Sequence, residues 1–579
     1  MSAVQLTTIS EIARRAAMPL RTRTLALEGL YLVGLPIVAV AVLGISVIDQ
    51  EGYVDPEFYT GYGQSFETMW EVFGLTYYSA RFPIMFVNTT SQWLWPGLGG
   101  YSLLRLLVLL LCGIPLYTLA RRHYGRPVAM ASYAFLVLNP LLLRILCWDL
   151  TTFLSIPAGF AGITLWHLSS RAWSRSVLAA GFLFGVSVNS HVFTGTAIAV
   201  FLAVELVFAA RRGRGLSWFV PRVVTLAAGG LLCLLLGLAF YAVTVGPVSP
   251  LSLWRITTHA VTAGRTYAVT NYVTIADYYA TNYEIYVPIL TTAAALLLNR
   301  RRLMIDTIEA HIIWFATMYL AAYIVAVFIL RMNIVQYFWY FGHLTIAVYL
   351  SVPVVLARLV ERAGSRATTW FLAALAAVPI AVASWADLWR SIVTAAHGNG
   401  TIVGSLAAAM LITVVVLQVR RPRMVLCATT SLALLLQVPY LSQTHASVFD
   451  VHDNVTEAPL FETIMRYRAL LNRYDRAGAR VRTWYRYSDA MGSIASSNLL
   501  FTLQPPWGQG GMPVVAETEK ANLAEPSLRY VLLVDPQPER VNQGLDALRA
   551  AGVGFTILEQ QTWGRDPRAF RAVLVRLER

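Results

Sequence analysis

Charged residues are scarce in this chain, so each one set near a long apolar run is a candidate for chemistry. The first is Asp55, in DPEFYTGY (55–62). A carboxylate within hydrogen-bond reach of a hydroxyl can take its proton as the oxygen attacks carbon, which is general-base catalysis. Pro56 fixes its own φ and stiffens the exit from Asp55. Asp49 and Glu51, just upstream, read as charges at a membrane edge, or as weaker candidates for the base. Glu57 is placed to orient a reacting hydroxyl or to face water, and Tyr59 offers a ring and a hydroxyl to a bound ligand. The same stretch continues to YYSARFP (77–83), where Arg81 is the single basic residue between 49 and 100.

Arginine binds phosphate through paired N–H groups and keeps its charge in a partly dry site. Three arginines are therefore candidates to hold a phosphate: Arg81, Arg331 at the head of RMNIVQYFWY, and Arg265. The alternative for each is a side chain that snorkels to the interface. Asp149, in WDLTTF (148–153), and His191, in VNSHVFTG (188–195), are candidates to bind a hydroxyl-bearing ligand. A histidine beside a membrane turn is also an ordinary hydrogen-bonded structural residue. Tyr337 and Tyr340, in YFWYFGH (337–343), serve either as an interfacial aromatic belt or as the wall of a ligand site. Arg105 falls inside an apolar run and reads as a structural ion-pair partner. No metal centre is supported, because hard cations want several oxygen ligands at fixed geometry. Cys112, Cys147, Cys233 and Cys427 show no CxxC spacing, so neither a disulfide framework nor a zinc site is expected. No other cofactor is implied.

The elements that must position these residues are membrane helices. Of 579 residues, 57% are hydrophobic and 13% charged, with mean hydropathy +0.58. Soluble domains carry about 25% charged residues. Half that charge at this length excludes a soluble globule, and the hydrophobicity excludes disorder. Apolar runs long enough to span fall near 27–48, 101–120, 127–145, 151–168, 177–190, 192–210, 223–246, 285–299, 311–330, 337–358, 369–387, 401–419 and 424–441. That makes about thirteen spans.

The net charge of +14 comes almost wholly from arginine, since Lys520 is the single lysine. Its distribution is topological. RRHYGR (121–126), SSRAWSR (169–175), RRGRG (211–215), NRRR (299–302), ERAGSR (361–366) and RRPR (420–423) all fall on one side, with Arg14, Arg15, Arg21 and Arg23 of the leading segment. By the positive-inside rule that side is cytoplasmic, so the first span is a retained anchor and the basic charge is no nucleic-acid patch.

A transmembrane unit, 1–441, is thus expected to carry two long outer loops, 49–100 and 247–284. Segments such as SFETMWEVFG in the first loop read as short amphipathic helices at the membrane surface. The tail, 442–579, lies outside as a small α/β domain. It reads as a helix over 460–479, strands over 527–535, 552–560 and 569–578, and a helix over 543–552. The fold class is mainly α, a polytopic membrane protein with an extracytoplasmic α/β domain.

This architecture, with DPEFYTGY after the first span, YYSARFP in the same loop and WDLTTF on the second outer loop, resembles the GT-C glycosyltransferases. Those include the protein O-mannosyltransferases, the aminoarabinose transferase of lipid A and the oligosaccharyltransferases. The pattern is nearest the bacterial protein mannosyltransferase and aminoarabinose transferase type. It departs from the mannosyltransferases where Pro56, rather than a second acid, follows Asp55. The resemblance implies a hexosyl- or pentosyltransferase of the cytoplasmic membrane that works at the outer face without a metal. Its donor would be a sugar on a polyprenyl phosphate, its acceptor a hydroxyl on glycan, lipid or protein, and its base Asp55. Two other classes compete. A flippase or transporter for lipid-linked saccharides would show paired repeats, and none is evident. A saccharide polymerase or ligase would place its chemistry on a late outer loop, whereas here the acids gather in the first.

Overall fold

The computed structural model describes residues 28–37, positions within 59–70, 74–95, 98–137, 142, 152–211 apart from Ser170, 215–259, 286–330 apart from Asp306, 342–361 apart from 348, 359 and 360, 480–484, 528–563 apart from 536, 537 and 551, and 570–578. The expected spans at 369–387, 401–419 and 424–441 and the helix at 460–479 lie outside the described residues.

The membrane part is a helical bundle. Its helices are α1 (Glu28–Ile37), α2 (Phe82–Leu94), α3 (Leu98–Tyr124), α4 (Arg126–Val137), α5 (Thr152–Leu168) and α6 (Arg175–Ser190). They continue as α7 (Thr194–Arg211), α8 (Gly215–Thr244), α9 (250–259), α10 (Tyr286–Asn299), α11 (Ile308–Ile324) and α12 (Gly342–Arg358). Gly100–Tyr124, Thr194–Arg211 and Leu216–Thr244 are long and apolar enough to cross a bilayer. Helices follow the expected apolar runs from the first through the tenth, with ends shifted by a few residues. The largest shift is α8, which begins at Gly215 and takes Arg222 into the helix. Helix α2, in the first outer loop, was not foreseen. Its second residue is Pro83, where the missing N–H costs nothing.

Caps mark several helix starts. The Ser174 hydroxyl accepts from the Val177 N–H of α6 at 3.2 Å, and the Thr307 hydroxyl accepts from Ala310 of α11 at 3.3 Å. Each satisfies one of the backbone donors that a helix N-terminus leaves open.

Close packing in the bundle depends on small residues. Helix α6 lies against α5 on one side and α8 on the other, and α3 packs on α4 and α5. At the α6–α8 crossing, a Cβ on Gly181 would stand 1.9 Å from the Leu226 carbonyl oxygen, and one on Gly229 would stand 2.1 Å from that of Leu178. Only glycine permits the two backbones to meet this way, and small residues are the usual means of close approach in membrane helices. Phe201 of α7 sits inside the bundle, 5.8 Å from the rings of Trp166 and Phe315 and 6.2 Å from Phe184.

The C-terminal region holds a four-stranded sheet in the order β1-β2-β4-β3: β1 (Arg480–Trp484), β2 (Leu528–Asp535), β3 (Gly554–Trp563) and β4 (Phe570–Glu578). β1 runs parallel to β2, and the other pairs are antiparallel. Helix α13 (Pro538–Ala550) joins β2 to β3 and buries Val541, Leu545 and Leu548 against Val531, Leu533, Val573, Val575 and Leu577. The alternation along β4 puts 573, 575 and 577 on the face that meets α13, while Leu574 is buried on the other face. The three expected strands and the helix between them all form. β1 adds a fourth strand that the sequence reading did not include.

Candidate functional site

Arg81 is held by the segment that leads into α2. Gly74 turns the chain with φ +62°. Thr76 N–H donates to the Ser79 hydroxyl at 2.7 Å, and Ser79 N–H donates back to the Thr76 hydroxyl at 3.2 Å. The Tyr241 hydroxyl of α8 donates to the Ser79 carbonyl, which ties this turn to the bundle. Across the same contact, the Phe82 ring fills the space where a Cβ on Gly237 would stand, 2.7 Å away. The turn preceding Arg81 and the start of α2 are therefore anchored to α8 by two contacts, and the Arg81 side chain leaves a fixed backbone.

The Arg81 side chain is buried and lies among aromatic rings. Its guanidinium carbon sits 3.9 Å from the Tyr77 ring centroid and 5.6 Å from that of Tyr59. One N–H donates to the Tyr59 hydroxyl. The Tyr59 ring in turn stands 5.6 Å from Tyr78, edge to face. A desolvated cation over a ring face gains about 2 kcal/mol. No carboxylate pairs with Arg81 among the described residues, and four of its five N–H groups have no hydrogen-bond partner there. The arrangement keeps a positive charge in place while leaving donors for an anion.

His191 reaches the same end of the bundle from the turn between α6 and α7. Its N–H closes α6 on the Ser187 carbonyl at 3.0 Å, its Nδ1 accepts from Phe193 N–H at 3.3 Å, and its carbonyl accepts from the Thr194 hydroxyl at 3.0 Å. Burial first, then the charges of His343 and Arg81, hold the His191 ring well below the usual imidazole range. It is neutral near pH 7, which leaves Arg81 as the positive charge of this group. The His343 ring lies 5.1 Å from His191 and 5.3 Å from Phe193, and its Nδ1 is 3.5 Å from the Thr194 hydroxyl. His343 sits in the 3-10 turn Gly342–Leu344 that opens α12, fully buried, and its Nε2 has no hydrogen-bond partner among the described residues. Leaving such a group unpaired costs about 1–3 kcal/mol.

The structure thus brings together three of the residues singled out from sequence: Tyr59, Arg81 and His191. Asp55, Glu57, Asp149, Arg265, Arg331, Tyr337 and Tyr340 lie outside the described residues. Arg105 is buried in α3 with its guanidinium carbon 3.8 Å from the Phe153 ring centroid. Two members of the group were missed. Tyr77 stands four residues before Arg81 in YYSARFP, close enough in sequence to have been paired with it. His343 ends YFWYFGH, where the aromatic belt reading absorbed its one histidine.

No protein-family model matches the chain, and no curated protein matches it. Solved structures do. The chain is similar to ArnT from Cupriavidus metallidurans in the apo state, at 13% identity and TM-score 0.46, covering 96% of this chain and 98% of that one. The same protein bound to undecaprenyl phosphate matches at 13% identity and TM-score 0.46, covering 95% and 98%. The oligosaccharyltransferase of Archaeoglobus fulgidus, tethered to an acceptor peptide, matches at 13% identity and TM-score 0.38, covering 87% of this chain and 68% of that one.

Proposed function

We propose that this protein is an inverting glycosyltransferase of the cytoplasmic membrane. It moves a hexose or pentose from a polyprenyl-phosphate donor to an acceptor hydroxyl on glycan, lipid or protein at the outer face. The observation that carries the reading is Arg81, a buried guanidinium held by tyrosine rings with no carboxylate partner among the described residues. Such a group suits the phosphate of a lipid-linked sugar, whose charge grows as the sugar leaves.

In the proposed step the acceptor oxygen attacks the anomeric carbon as the bond from that carbon to the phosphate oxygen breaks. The electron pair departs with the polyprenyl phosphate, and the proton of the acceptor hydroxyl passes to the Asp55 carboxylate. Donors aimed at a phosphate that gains charge in the transition state lower the barrier. Arg81 supplies them here, with Arg331 and Arg265 as further candidates. Glu57, Tyr59, Asp149, His191, Tyr337 and Tyr340 are assigned to the sugar and the acceptor. With Asp55 as base and arginine at the phosphate, the reaction needs no metal, and turnover should survive EDTA. The proposed topology has the N-terminus in the cytoplasm, a transmembrane unit over 1–441 and the domain 442–579 outside.

The test is Asp55→Asn in cells that depend on this chain for a glycan. The variant should reach the membrane at wild-type level, bind polyprenyl phosphate and yield none of the product. Unchanged glycan would overturn Asp55 as the base, and failure of the wild-type protein to bind any polyprenyl phosphate would overturn the donor class.

A further inference from the structure

The hydrogen bonds around Thr194 fix which nitrogen of His343 carries its proton. The Thr194 hydroxyl has one hydrogen, which it donates to the His191 carbonyl at 3.0 Å. Toward His343 Nδ1, 3.5 Å away, the same oxygen can then act only as an acceptor. The neutral ring therefore bears its proton on Nδ1, and Nε2 is a bare acceptor. His191 has the opposite tautomer, because its Nδ1 already accepts from Phe193 N–H. Nε2 of His343 is buried and has no hydrogen-bond partner among the described residues. Native structures leave few such groups unpaired, and one that persists asks for a ligand that donates to it.

The location narrows that ligand. The His343 ring is 5.1 Å from His191, which caps α6, and α6 packs against α2, whose N-terminus Arg81 caps. In a sugar phosphate the hydroxyl groups lie within a few bonds of the phosphate, and they are O–H donors. We propose that His343 Nε2 accepts a hydrogen bond from a hydroxyl of the sugar whose phosphate Arg81 holds, which makes His343 a sugar-reading residue. The proposal rests on the donor class argued above. Phe193, whose ring lies 5.3 Å from His343, offers an aromatic wall beside it.

The test separates the sugar from the phosphate. The full chain in nanodiscs is titrated with three lipids: bare polyprenyl phosphate, a hexose-bearing polyprenyl phosphate and a pentose-bearing one. Wild-type protein should bind one sugar-bearing lipid about tenfold tighter than the bare phosphate, the worth of one well-made hydrogen bond in a buried site. His343→Phe should erase that preference and leave the affinity for bare polyprenyl phosphate unchanged. His343→Gln, which keeps a polar atom near the same place, should retain more than twofold of it. A preference that survives in His343→Phe overturns the proposal. So does an equal loss on all three lipids in both variants, which marks a structural role, and so does a wild-type protein that binds all three alike. A wild-type protein that binds none of them overturns the donor class itself, and this proposal falls with it.

Discussion

The two ends of the helical bundle treat buried charge in opposite ways. At the end where α3 finishes and α7 finishes, charges are matched. Glu28 accepts from the Tyr117 hydroxyl at 2.8 Å and from Arg121, and it forms an ion pair with Arg126 Nε at 2.8 Å. Glu205 meets His311 and takes the Trp166 indole N–H at 2.9 Å. Arg358 reaches Asn299 at 2.8 Å, Glu361 at 2.6 Å and Glu309 at 3.4 Å. Arg222 donates to the Trp166 and Ser169 carbonyls at 2.7 and 2.9 Å, at the C-terminal end of α5 where the helix dipole is negative. At the Arg81 end, a guanidinium is held by ring faces and one phenol. Charges whose partners are built into the fold hold helices together. A charge held in position with donors to spare is arranged for a partner that comes and goes.

Two substitutions, one at each end, would break this comparison if they behaved alike. Glu205→Ala removes the acceptor shared by Trp166 and His311. Taking the acceptor from a buried donor costs about 1–3 kcal/mol, so the thermal unfolding midpoint in detergent should fall clearly. Arg81→Ala should lower the midpoint less than Glu205→Ala does, because no partner charge is stranded and what is lost is the contact with the Tyr77 and Tyr59 rings and one phenol. Its sugar-transfer rate should drop by about 100-fold, the usual loss when one oxyanion donor is removed. Arg81→Lys, which keeps charge but loses the planar fork, should recover only part of it. A large stability loss in Arg81→Ala would recast that arginine as structural.

A third substitution bears on the crossing between the ends. Gly229→Ala places a methyl group 2.1 Å from the Leu178 carbonyl oxygen, a backbone atom that yields only if α6 and α8 move apart. Overpacking of this kind costs about 1–3 kcal/mol. Because α8 anchors the Arg81 turn through Tyr241, donor affinity should weaken together with the unfolding midpoint. An alanine variant with an unchanged midpoint would show that the crossing is looser than drawn.

The matched end was only half legible in the sequence, and so was the unmatched one, for different reasons. Arginine runs announced which loops share a side, but Glu28 and Glu205 drew no attention, because a carboxylate inside an apolar run says nothing of which distant helix brings its partner. Arg222 was assigned to a loop, since a basic residue at the edge of an apolar run looks like a span boundary. The structure keeps it in the helix by giving its donors to carbonyls of α5. On the other side, Arg81 stood out as the single basic residue of an acidic loop, and Tyr59 came with the motif beside it. His343 did not, because its contacts with His191 and Thr194 join distant parts of the chain, Thr194 and His343 being 149 positions apart, through the packing of α12 beside the α6–α7 turn. The strands of the C-terminal domain were legible from alternation alone. β1 was not, because RVRTW (480–484) joins the sheet by parallel pairing with β2 rather than by a local hairpin.

The smallest expected effect is the sharpest probe of how Arg81 is held. Tyr59→Phe keeps the ring, and so keeps the 5.6 Å contact with the guanidinium and the edge-to-face contact with Tyr78. It removes only the hydroxyl that accepts from Arg81. The freed N–H then has to find water or the ligand, so the cost falls on orientation rather than on charge. A hydrogen bond to a charged group is worth about 1.5–3 kcal/mol at most, and the ring contacts retain part of the positioning. Affinity for polyprenyl phosphate should therefore weaken by about 5- to 10-fold, with the unfolding midpoint unchanged. Tyr77→Leu is the matching control, since it takes away the nearer ring face at 3.9 Å and leaves the phenol in place. If Tyr77→Leu is the more damaging of the two for phosphate binding, the ring faces carry the charge and the phenol aims it. If Tyr59→Phe alone has an effect, the hydrogen bond positions Arg81, and the account of a cation held between aromatic faces has to be given up.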